Sequence, residues 1–525
     1  MKKKITIVQG LAVLLLWFLI AVPQGDARAA TLRYAVSTFG EENLDPTLTS
    51  IVSALGVGGP LWDWLTELTP EGELRPSLAT TWSQVDDGKA WELDLRNDVT
   101  FHDGSPMTAE DVRFTLLTFA SERSRSSRAP QFRKKIADVK AIGPYKVRLE
   151  LASPWPTLPY DLSNQAGMEG IVLPKAFIER VGWEAFAQHP VGTGAWKFVG
   201  HKVGDVVEFE ANKNYWSTPP KFDRLSLLLV PEEATRAAML QSEQADIADI
   251  SVDSASGIEQ KGFKIIADPQ FSSIRVHLYG TYSDKSMPTS DVRVRKALNL
   301  AINRDELLAA FFNGRGRSAA SFPIATLSIG YPKDLAPYPF DPEEAKRLLS
   351  EAGYPDGFEI TLFSMPVSGF TLHQQTAEAV AGYWEAIGVR TRIIPTDFGA
   401  FRPLYVARPV PKELVGQASI FASTGRLNGS DDLRIWWLNE GGVVHMAAPG
   451  EIDPLYADAM AATTVEDLAS AVSAAYHTLY QSYRGIPLID AVGAIWAYGN
   501  QIDNVEVGTF RGYITPTLKT AVPAQ

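Results

Sequence analysis

The 525-residue sequence contains no cysteine. This absence excludes disulfide bonds, a thiol nucleophile, a cysteine-ligated metal and a lipid anchor attached through cysteine. Histidine is scarce as well, because only 7 residues occur and no two of them have the i, i+3 or i, i+4 spacing of a helical metal site. We therefore expect neither a metal ion nor another cofactor.

The sequence also lacks an apolar run long enough for a retained membrane anchor at its start. The run from Leu11 to Val22 has 12 residues, whereas a spanning helix needs about 20. It follows Lys2-Lys3-Lys4 and precedes Ala27-Arg28-Ala29, which is the order of elements in a secretory signal. We expect residues 1–29 to be a signal peptide that is cleaved after Ala29, leaving a periplasmic protein that is not a lipoprotein.

The composition indicates an acidic, multidomain protein. The net charge of −12 becomes −15 without residues 1–29, because these carry four basic residues and one acidic residue. An acidic surface argues against nucleic acid and anionic membranes as partners. At about 100–200 residues per domain, the mature chain is expected to form two or three domains. Helix and strand patterns alternate along it, which predicts an α/β fold.

Motifs that would signal catalysis are missing. The sequence has no H-E-x-x-H, no G-x-S-x-G, no phosphate-binding loop and no G-x-G-x-x-G before a helix. Gly192-Thr193-Gly194 lacks the Lys-Ser/Thr of a nucleotide site and indicates a tight turn. His102-Asp103-Gly104 is the one histidine beside an acid, and Asp-Gly favours a turn over a catalytic dyad. Carboxylate pairs of a glycosidase are assembled by the fold, so a hydrolase stays open.

Several local patterns predict individual elements. Residues 79–96 predict a hairpin around Asp87-Gly88, with Trp91, Leu93 and Leu95 on one face, and residues 136–151 predict another around Gly143-Pro144. Thr108 and Asp111 form a capping box at a helix start. Asp341-Pro342 begins another helix. Asp431-Asp432 is interpreted as a solvated loop or helix cap, or alternatively as the partner of a cationic ligand.

A set of longer segments shares one pattern in order along the chain. They are Leu74 to Trp82 (LRPSLATTW), Leu95 to Gly104 (LRNDVTFHDG), Pro190 to Trp196 (PVGTGAW), Val292 to Arg304 (VRVRKALNLAINR) and Asp341 to Phe358 (DPEEAKRLLSEAGYPDGF). With their surroundings they cover about residues 31–510. The sequence thereby resembles the family 5 solute-binding proteins, the extracytoplasmic receptors of peptide and nickel ABC importers.

The resemblance implies a two-lobed periplasmic binding protein clamshell with an additional inserted domain. Carried onto this sequence, it assigns residues 31–65, 191–285 and 487–525 to lobe I, residues 66–190 to the extra domain, and residues 286–486 to lobe II. Ligand would be enclosed between the lobes, because closing a hinged cleft removes its surface from water.

The resemblance also implies a set of ligand-binding residues. They are Phe39, Gly40, Phe398, Phe401, Thr424, Gly425, Arg426 and Trp436. Peptide-binding members carry an aspartate shortly after an aromatic residue in lobe II, but Phe421 to Asn428 has no acid and offers Arg426. This argues against a peptide with a free amino group. Arg426 would favour carboxylate or phosphate if it faces the cleft, and is otherwise a surface arginine. The rings would suit a sugar or a heteroaromatic ligand.

The expected function is that of a binding protein, not an enzyme. We expect a monomer that captures a small solute, peptide-like, oligosaccharide or similar, and delivers it to an ABC permease in the inner membrane. Other family members bind nickel chelates, oligosaccharides, opines or glutathione. Two alternatives remain: a periplasmic sensor or scaffold that uses the same fold, and a secreted hydrolase that uses two carboxylates.

Overall fold

A computed structural model describes residues 30–49, 51–267, 271–321, 324–365, 372–444, 446–492, 495–506 and 513–524. The predicted signal peptide, residues 1–29, lies outside the described residues. No helix within the described ranges is both long enough and apolar enough to cross a bilayer.

Strands and helices are interspersed along the described chain. In chain order the strands are β1 Thr31–Val36, β2 Thr66–Leu68, β3 Leu74–Pro76, β4 Ala79–Val85, β5 Ala90–Leu95, β6 Ile136–Gly143, β7 Lys146–Leu151, β8 Trp196–Lys202, β9 Val206–Ala211, β10 Arg224–Leu229, β11 Ile247–Ile250, β12 Lys264–Ala267, β13 Phe271–Leu278, β14 Gly316–Ser318, β15 Glu359–Ser364, β16 Arg390–Pro395, β17 Ala418–Thr424, β18 Gly485–Val492, β19 Ile495–Tyr498, β20 Ile502–Asn504 and β21 Val522–Pro523.

The helices fall between these strands. They are α1 Ile51–Gly56, α2 Ala109–Ala120, α3 Ala129–Lys135, α4 Leu158–Asp161, α5 Lys175–Val181, α6 Trp183–Gln188, α7 Glu233–Gln241, α8 Val252–Glu259, α9 Val292–Leu300, α10 Arg304–Phe312, α11 Pro342–Glu351, α12 His373–Glu385, α13 Phe398–Tyr405, α14 Gly429–Asp432, α15 Asp453–Ala461 and α16 Val465–Gln481. A π-helix, Leu433–Trp437, continues α14, and 3₁₀ turns lie at Gly59–Leu61, Pro288–Ser290 and Thr515–Thr520.

Lobe I is built on a seven-stranded sheet. Its strand order is β12-β19-β11-β1-β10-β9-β8. Strand β1 runs parallel to both of its neighbours, β10 and β11. Leu225 and Leu227 of β10 alternate with polar positions and join a core that includes Phe209 and Trp196. Alternation of this kind places one face of each strand in the core.

Lobe II is built on a six-stranded sheet whose order is β14-β18-β13-β17-β15-β16. Strands β15, β16 and β17 are mutually parallel, and β13 runs antiparallel to β17 and β18. One face, with Ile274, Val276 and Leu278, packs with α9, α11 and α12. The other face is covered by a second cluster that includes Trp436 and Tyr476. The sheet is therefore buried on both sides.

The extra domain carries a four-stranded antiparallel sheet with the order β4-β5-β7-β6. The two predicted hairpins are confirmed, since β4 pairs with β5 and β6 pairs with β7. The predicted capping box of α2 is also present: Thr108 N–H donates to the Asp111 carboxylate at 2.9 Å. Local turn and cap chemistry thus forms here as the sequence predicts.

The chain crosses between the two large sheets at two places. It leaves β12 at Ala267 and enters β13 at Phe271, and it returns from β18 at Val492 to β19 at Ile495. The strand pairing differs from the predicted division at both boundaries. Residues 271–278 and 487–492, assigned to lobe I from the sequence, pair within the lobe II sheet, because β13 and β18 are neighbours there. The rest of the division stays a prediction.

Candidate ligand-binding site

The strand directions show which edges of the two sheets face each other. Ile250, the last residue of β11, pairs with Ile495, where the chain enters the lobe I sheet. In lobe II, Thr424 at the end of β17 pairs with Ser272. Ser272 is next to Phe271, where the chain enters the lobe II sheet. The carboxyl ends of the parallel strands in both sheets therefore lie on the side of the crossings. Ligands of open α/β sheets bind outside the carboxyl ends of strands.

The lobe I edge is organised by one carboxylate, that of Asp249. It accepts hydrogen bonds from the backbone N–H of Ser37 at 2.8 Å, from the Ser37 hydroxyl at 2.9 Å and from the phenol of Tyr34. The indole N–H of Trp496 donates to the Tyr34 oxygen at 2.9 Å. Burial and the negative charge of Asp249 raise the pKa of Tyr34 well above its usual value, so the phenol stays a donor. This network fixes the start of the loop after β1.

Two of the predicted site residues, Phe39 and Gly40, lie in that loop. Phe39 is buried in the lobe I core and contacts the ring of His201 edge-on, with 6.4 Å between centroids. Gly40 has a φ of +68°, a conformation that favours glycine. Glu42 accepts hydrogen bonds from His201 Nε2 at 2.8 Å and from Gly204 N–H at 2.9 Å. Phe39 thus holds the loop to its lobe.

Lobe II contributes a row of buried polar side chains that were not predicted from the sequence. Ser273, Arg275, His277 and Tyr279 alternate with the apolar residues of β13 and point to the opposite face. Arg275 donates from Nε to His277 at 3.0 Å, from Nη1 to the Ser273 carbonyl at 2.8 Å, and from Nη2 to Ser423 Oγ at 2.8 Å. The alternation of β13 in the sequence was the available signal.

Burial controls the protonation of this row. It lowers the pKa of Arg275 to about 9, which leaves the guanidinium charged at neutral pH. It also lowers the pKa of His277 well below its usual value, and the charge of Arg275 acts in the same direction. His277 is therefore neutral, and its Nε2 accepts from Arg275.

Three of the four predicted aromatic residues meet in one cluster on this face. Trp436 lies 5.4 Å from Phe421 and 5.2 Å from His277 between centroids. Phe398 lies 6.1 Å from Phe421, whereas Phe401 is fully buried against other rings of the cluster. The guanidinium of Arg275 lies 4.8 Å from the Trp436 ring centroid, within cation–π range. The cluster brings rings and positive charge together.

The indole of Trp436 has a specific local feature. It lies in the π-helix Leu433–Trp437, and within the described residues its buried Nε1 has no hydrogen-bond partner. π-Helical turns occur often at functional sites. A buried N–H without an acceptor costs about 1–3 kcal/mol. Trp436 therefore brings a buried N–H donor to the cluster.

Arg426 follows β17 at the carboxyl edge of the lobe II sheet. Its Nη1 donates to Asp432 Oδ1 at 2.7 Å, and its backbone N–H donates to Oδ2 of the same carboxylate at 2.8 Å. The side chain of Arg426 is 41% exposed, whereas that of Asp432 is 1% exposed. Burial raises the pKa of Asp432 to about 6, and Arg426 opposes that rise. Arg426 thus combines an anchored orientation with access to solvent.

The interpretation of Asp431-Asp432 as a solvated loop or helix cap was wrong. Both residues belong to α14, whose cap is Asn428, with its side chain accepting from Ser430 N–H at 3.1 Å. Asp432 is buried because the chain supplies its own cation, Arg426. The sequence pattern could not show this pairing, since it depends on the turn between the two residues.

Gly425 and Thr424 complete the predicted set. A Cβ on Gly425 would lie 2.3 Å from the backbone nitrogen of Ala325, so the loop before Arg426 packs directly on another segment. Thr424 ends β17 and pairs with Ser272, and its side chain lies outside the described residues. Gly425 is required here by close approach of two backbones.

The extra domain meets lobe II near the same loop. Tyr160 packs against the aromatic cluster of lobe II, and Leu327 lies 3.4 Å from a Cβ built on Gly72. Burial raises the pKa of Asp431, and the negative charge of Asp161 in the extra domain adds to that rise. Between the two large lobes, Arg315 pairs with Glu259 of α8 at 2.9 Å. Lobe II therefore contacts both the extra domain and lobe I.

His102 has a structural role, as the turn interpretation expected. Its Nε2 donates to the Gly194 carbonyl at 2.9 Å, and its Nδ1 accepts from Gly192 N–H at 3.2 Å. Burial lowers the pKa of His102 to about 4, so the ring is neutral at pH 7. A Cβ on Gly194 would lie 2.4 Å from the backbone of Leu61. The Gly-Thr-Gly segment therefore serves packing between the extra domain and lobe I.

The described ranges contain no group of three or more His, Cys, Asp or Glu residues placed to hold a metal ion. The polar groups at the two facing edges are hydroxyls, guanidinium groups and carboxylates that bond to one another. Such an arrangement can bind a solute by hydrogen bonds and charge.

Comparison with known proteins identifies the class. Residues 73–415 match the bacterial extracellular solute-binding proteins, family 5 (middle region), and the chain belongs to this family. This confirms the resemblance predicted from the sequence.

The particular relatives bind different solutes. The chain is 27% identical over 458 residues to heme-binding protein A of Haemophilus influenzae, covering 80% of each chain. It is 30% identical over 388 residues to the glutathione-binding protein GsiB of Pectobacterium atrosepticum, covering 73% of this chain and 72% of that protein. Its fold is similar to HbpA2 from Haemophilus parasuis, with a TM-score of 0.79 and 22% identity over 94% of this chain and 100% of that one. The two-lobed fold is thereby confirmed.

Proposed function

We propose that this protein is the periplasmic substrate-binding component of an ABC importer. It captures a small solute between its lobes and delivers it to a permease in the inner membrane. The observation that carries the proposal is the placement of the partly exposed Arg426, at the carboxyl edge of the lobe II sheet and on the side of both chain crossings. In this proposal the mature chain is a freely diffusing monomer, and it performs no chemistry on its ligand.

The charge at this edge favours a solute with an acidic group. The planar fork of a guanidinium binds carboxylate or phosphate through two parallel hydrogen bonds. The relatives named for heme and glutathione support this choice, since both compounds carry carboxylates. An ammonium group would be repelled by Arg426, which argues against recognition of a free peptide amino terminus at this position.

Thermal unfolding in the presence of candidate solutes tests the proposal. The panel contains peptides, oligosaccharides, metal chelates, glutathione and heme, each at several concentrations. A bound solute stabilises the folded state by about 2.7 kcal/mol at 100 times its Kd, so the Tm rises with concentration. We expect an acidic member to raise the Tm of the wild type, and Arg426→Gln to reduce the shift. A panel that leaves the Tm unchanged would contradict solute capture.

Arg347→Gln is the matched control for this variant. Arg347 is exposed on α11 and is paired with Glu344 and Glu351, so it too is an arginine held by carboxylates. It lies on a helix that packs against the opposite face of the lobe II sheet. We expect this variant to keep the full Tm shift.

A further inference from the structure

A second arginine of lobe II repeats the arrangement of Arg426. Arg317, on β14, donates from Nε and Nη2 to Asp490 Oδ2 at 3.0 and 2.9 Å. The Arg317 side chain is 39% exposed and that of Asp490 is 6% exposed. Each arginine thus has a buried aspartate that fixes its orientation and an exposed portion that reaches solvent.

The strand register places the two arginines on the same edge of the sheet. In the strand register, Arg317 lies opposite Asp490, and Asp490 lies opposite Ser273. The residue before Ser273 is Ser272, which lies opposite Thr424 at the end of β17. Strands β18 and β13 separate β14 from β17. Three strand spacings of about 4.8 Å amount to roughly 14 Å between the two backbones.

One segment, residues 325–331, connects the two arginines. Arg317 Nη2 donates to the Tyr331 hydroxyl at 3.4 Å, and its guanidinium lies 5.7 Å from the centre of that ring. Ser328 donates from its hydroxyl to the Arg426 carbonyl. Ile329 N–H donates to the Leu427 carbonyl at 2.8 Å. The two arginines therefore border one continuous surface.

The charge of this surface favours anions. Arg275, on β13, is fully buried and adds a third positive charge beneath this surface. Burial raises the pKa of Asp490, as it does that of Asp432, and the neighbouring arginines oppose the rise. The exposed part of each side chain, 39% for Arg317 and 41% for Arg426, is where an anion from solvent would approach the guanidinium.

We propose that Arg317 and Arg426 form two separate anion subsites, so that the solute of this protein carries two acidic groups whose separation is comparable to the roughly 14 Å between the strands. This inference rests on the proposed function and deepens it by naming the class of solute. The aromatic cluster with Trp436 is buried beside Arg275 and supports this part of lobe II from inside.

Isothermal titration with matched esters tests the two subsites. Glutathione and heme carry two carboxylates each, and their monoesters and diesters remove one or both charges. A charge-assisted hydrogen bond contributes enough that its loss weakens binding about tenfold or more. We expect the dicarboxylate form of the compound that binds to lose about tenfold in affinity for each ester.

The protein variants give the reciprocal result. Arg317→Gln combined with Asp490→Asn removes one subsite without leaving a buried charge, and Arg426→Gln with Asp432→Asn removes the other. Each double variant should bind the dicarboxylate about tenfold more weakly and should discriminate less between it and the monoester. Arg347→Gln should behave as the wild type.

The outcomes separate this inference from the proposed function. If a neutral or singly acidic compound of the panel binds best, or if the Arg317 double variant binds unchanged, the two-subsite proposal is overturned while solute capture stands. If no compound binds or raises the Tm, solute capture itself fails, and the two-subsite proposal fails with it.

Discussion

Arg426 and Asp432 are joined twice, because both the guanidinium and the backbone N–H of Arg426 donate to the same carboxylate, at 2.7 and 2.8 Å. The second bond fixes the backbone of the loop after β17, and the first fixes the direction of the side chain. The side chain of Asp432 is 1% exposed, so the carboxylate is held inside lobe II. Removing that charge should therefore change the pH dependence of folding as well as the orientation of Arg426.

Asp432→Asn tests the energetic cost of this buried carboxylate. The folded-state pKa is raised from 3.8 to about 6, so the folded protein binds more protons than the unfolded chain in that interval. The contribution of Asp432 to the stability of the folded protein is therefore present below pH 4 and is lost as the pH rises to 6. Urea unfolding should show the stability of the wild type falling by about 3 kcal/mol relative to the variant over this range.

Asp98→Asn provides the control of opposite sign. The bond from Arg96 lowers the pKa of Asp98, so its contribution is present above the unfolded value and is lost as the pH falls. If the free energies of unfolding of the wild type and of Asp432→Asn differ by a constant amount between pH 4 and 6, the carboxylate of Asp432 does not have a raised pKa in the folded protein.

His102→Gln tests the neutral histidine that joins the extra domain to lobe I. Burial lowers the folded pKa of His102 from 6.5 to about 4, so the stabilisation is complete above pH 6.5 and is lost as the pH falls toward 4. As the pH falls across this interval, the free energy of unfolding of the wild type should decrease by about 3 kcal/mol more than that of the variant. Unfolding monitored by tryptophan fluorescence would measure the difference.

His477 gives the matched comparison. Asp334 raises its pKa, so its contribution is present below the unfolded value and is lost as the pH rises. The difference in free energy of unfolding between wild type and variant should therefore change with pH in opposite directions for His102→Gln and His477→Gln. Parallel slopes would refute the burial of His102 as their cause.

Gly425→Ala tests the support of the Arg426 loop. The added methyl group would lie 2.3 Å from Ala325 N and 2.7 Å from its Cβ, so one backbone segment has to move. Overpacking of this kind costs about 1–3 kcal/mol, and the displaced loop should also weaken solute binding. Thermal unfolding and titration of the same samples measure both effects.

Gly382→Ala separates these effects from a general response to the substitution. Gly382 lies in α12, and among the described residues no atom outside the backbone of that helix lies within 4 Å of the position that a methyl group would take. Alanine there should stabilise the protein by about 0.5–1 kcal/mol and leave binding unchanged. Equal responses of the two variants would argue against a tight contact at Gly425.

The features that the sequence predicts correctly are those set by neighbouring residues. The hairpin with Asp87-Gly88 and the capping box of Thr108 and Asp111 form as predicted, because turn and cap chemistry acts over a few positions. The start of α11 at Asp341, whose side chain accepts from Glu344 N–H, follows the same rule.

The features that could not be predicted depend on contacts between distant parts of the chain. The bond from Arg275 to Ser423 joins residues 148 positions apart, and the pair of Arg317 and Asp490 joins residues 173 positions apart. No local pattern specifies such partners. The alternation of β13 could have shown that Arg275 and His277 share a face, but not that the face is buried.

The predicted site was therefore recovered unevenly. Arg426, Gly425 and Trp436 lie in one region of lobe II, together with Phe398 and the deeply buried Phe401. Phe39 lies in the lobe I core, because the loop after β1 folds back against His201. Which of these side chains contacts a solute stays a prediction.

Native mass spectrometry of the protein purified from its own cells tests the central claim, capture of a small solute, most directly. We expect a mass above that of the mature chain, and this excess should disappear on unfolding and release a compound with at least two acidic groups. The excess should be reduced in Arg426→Gln and retained in Arg347→Gln. A mass equal to the bare chain in every preparation, with no Tm shift across the panel, would contradict solute capture.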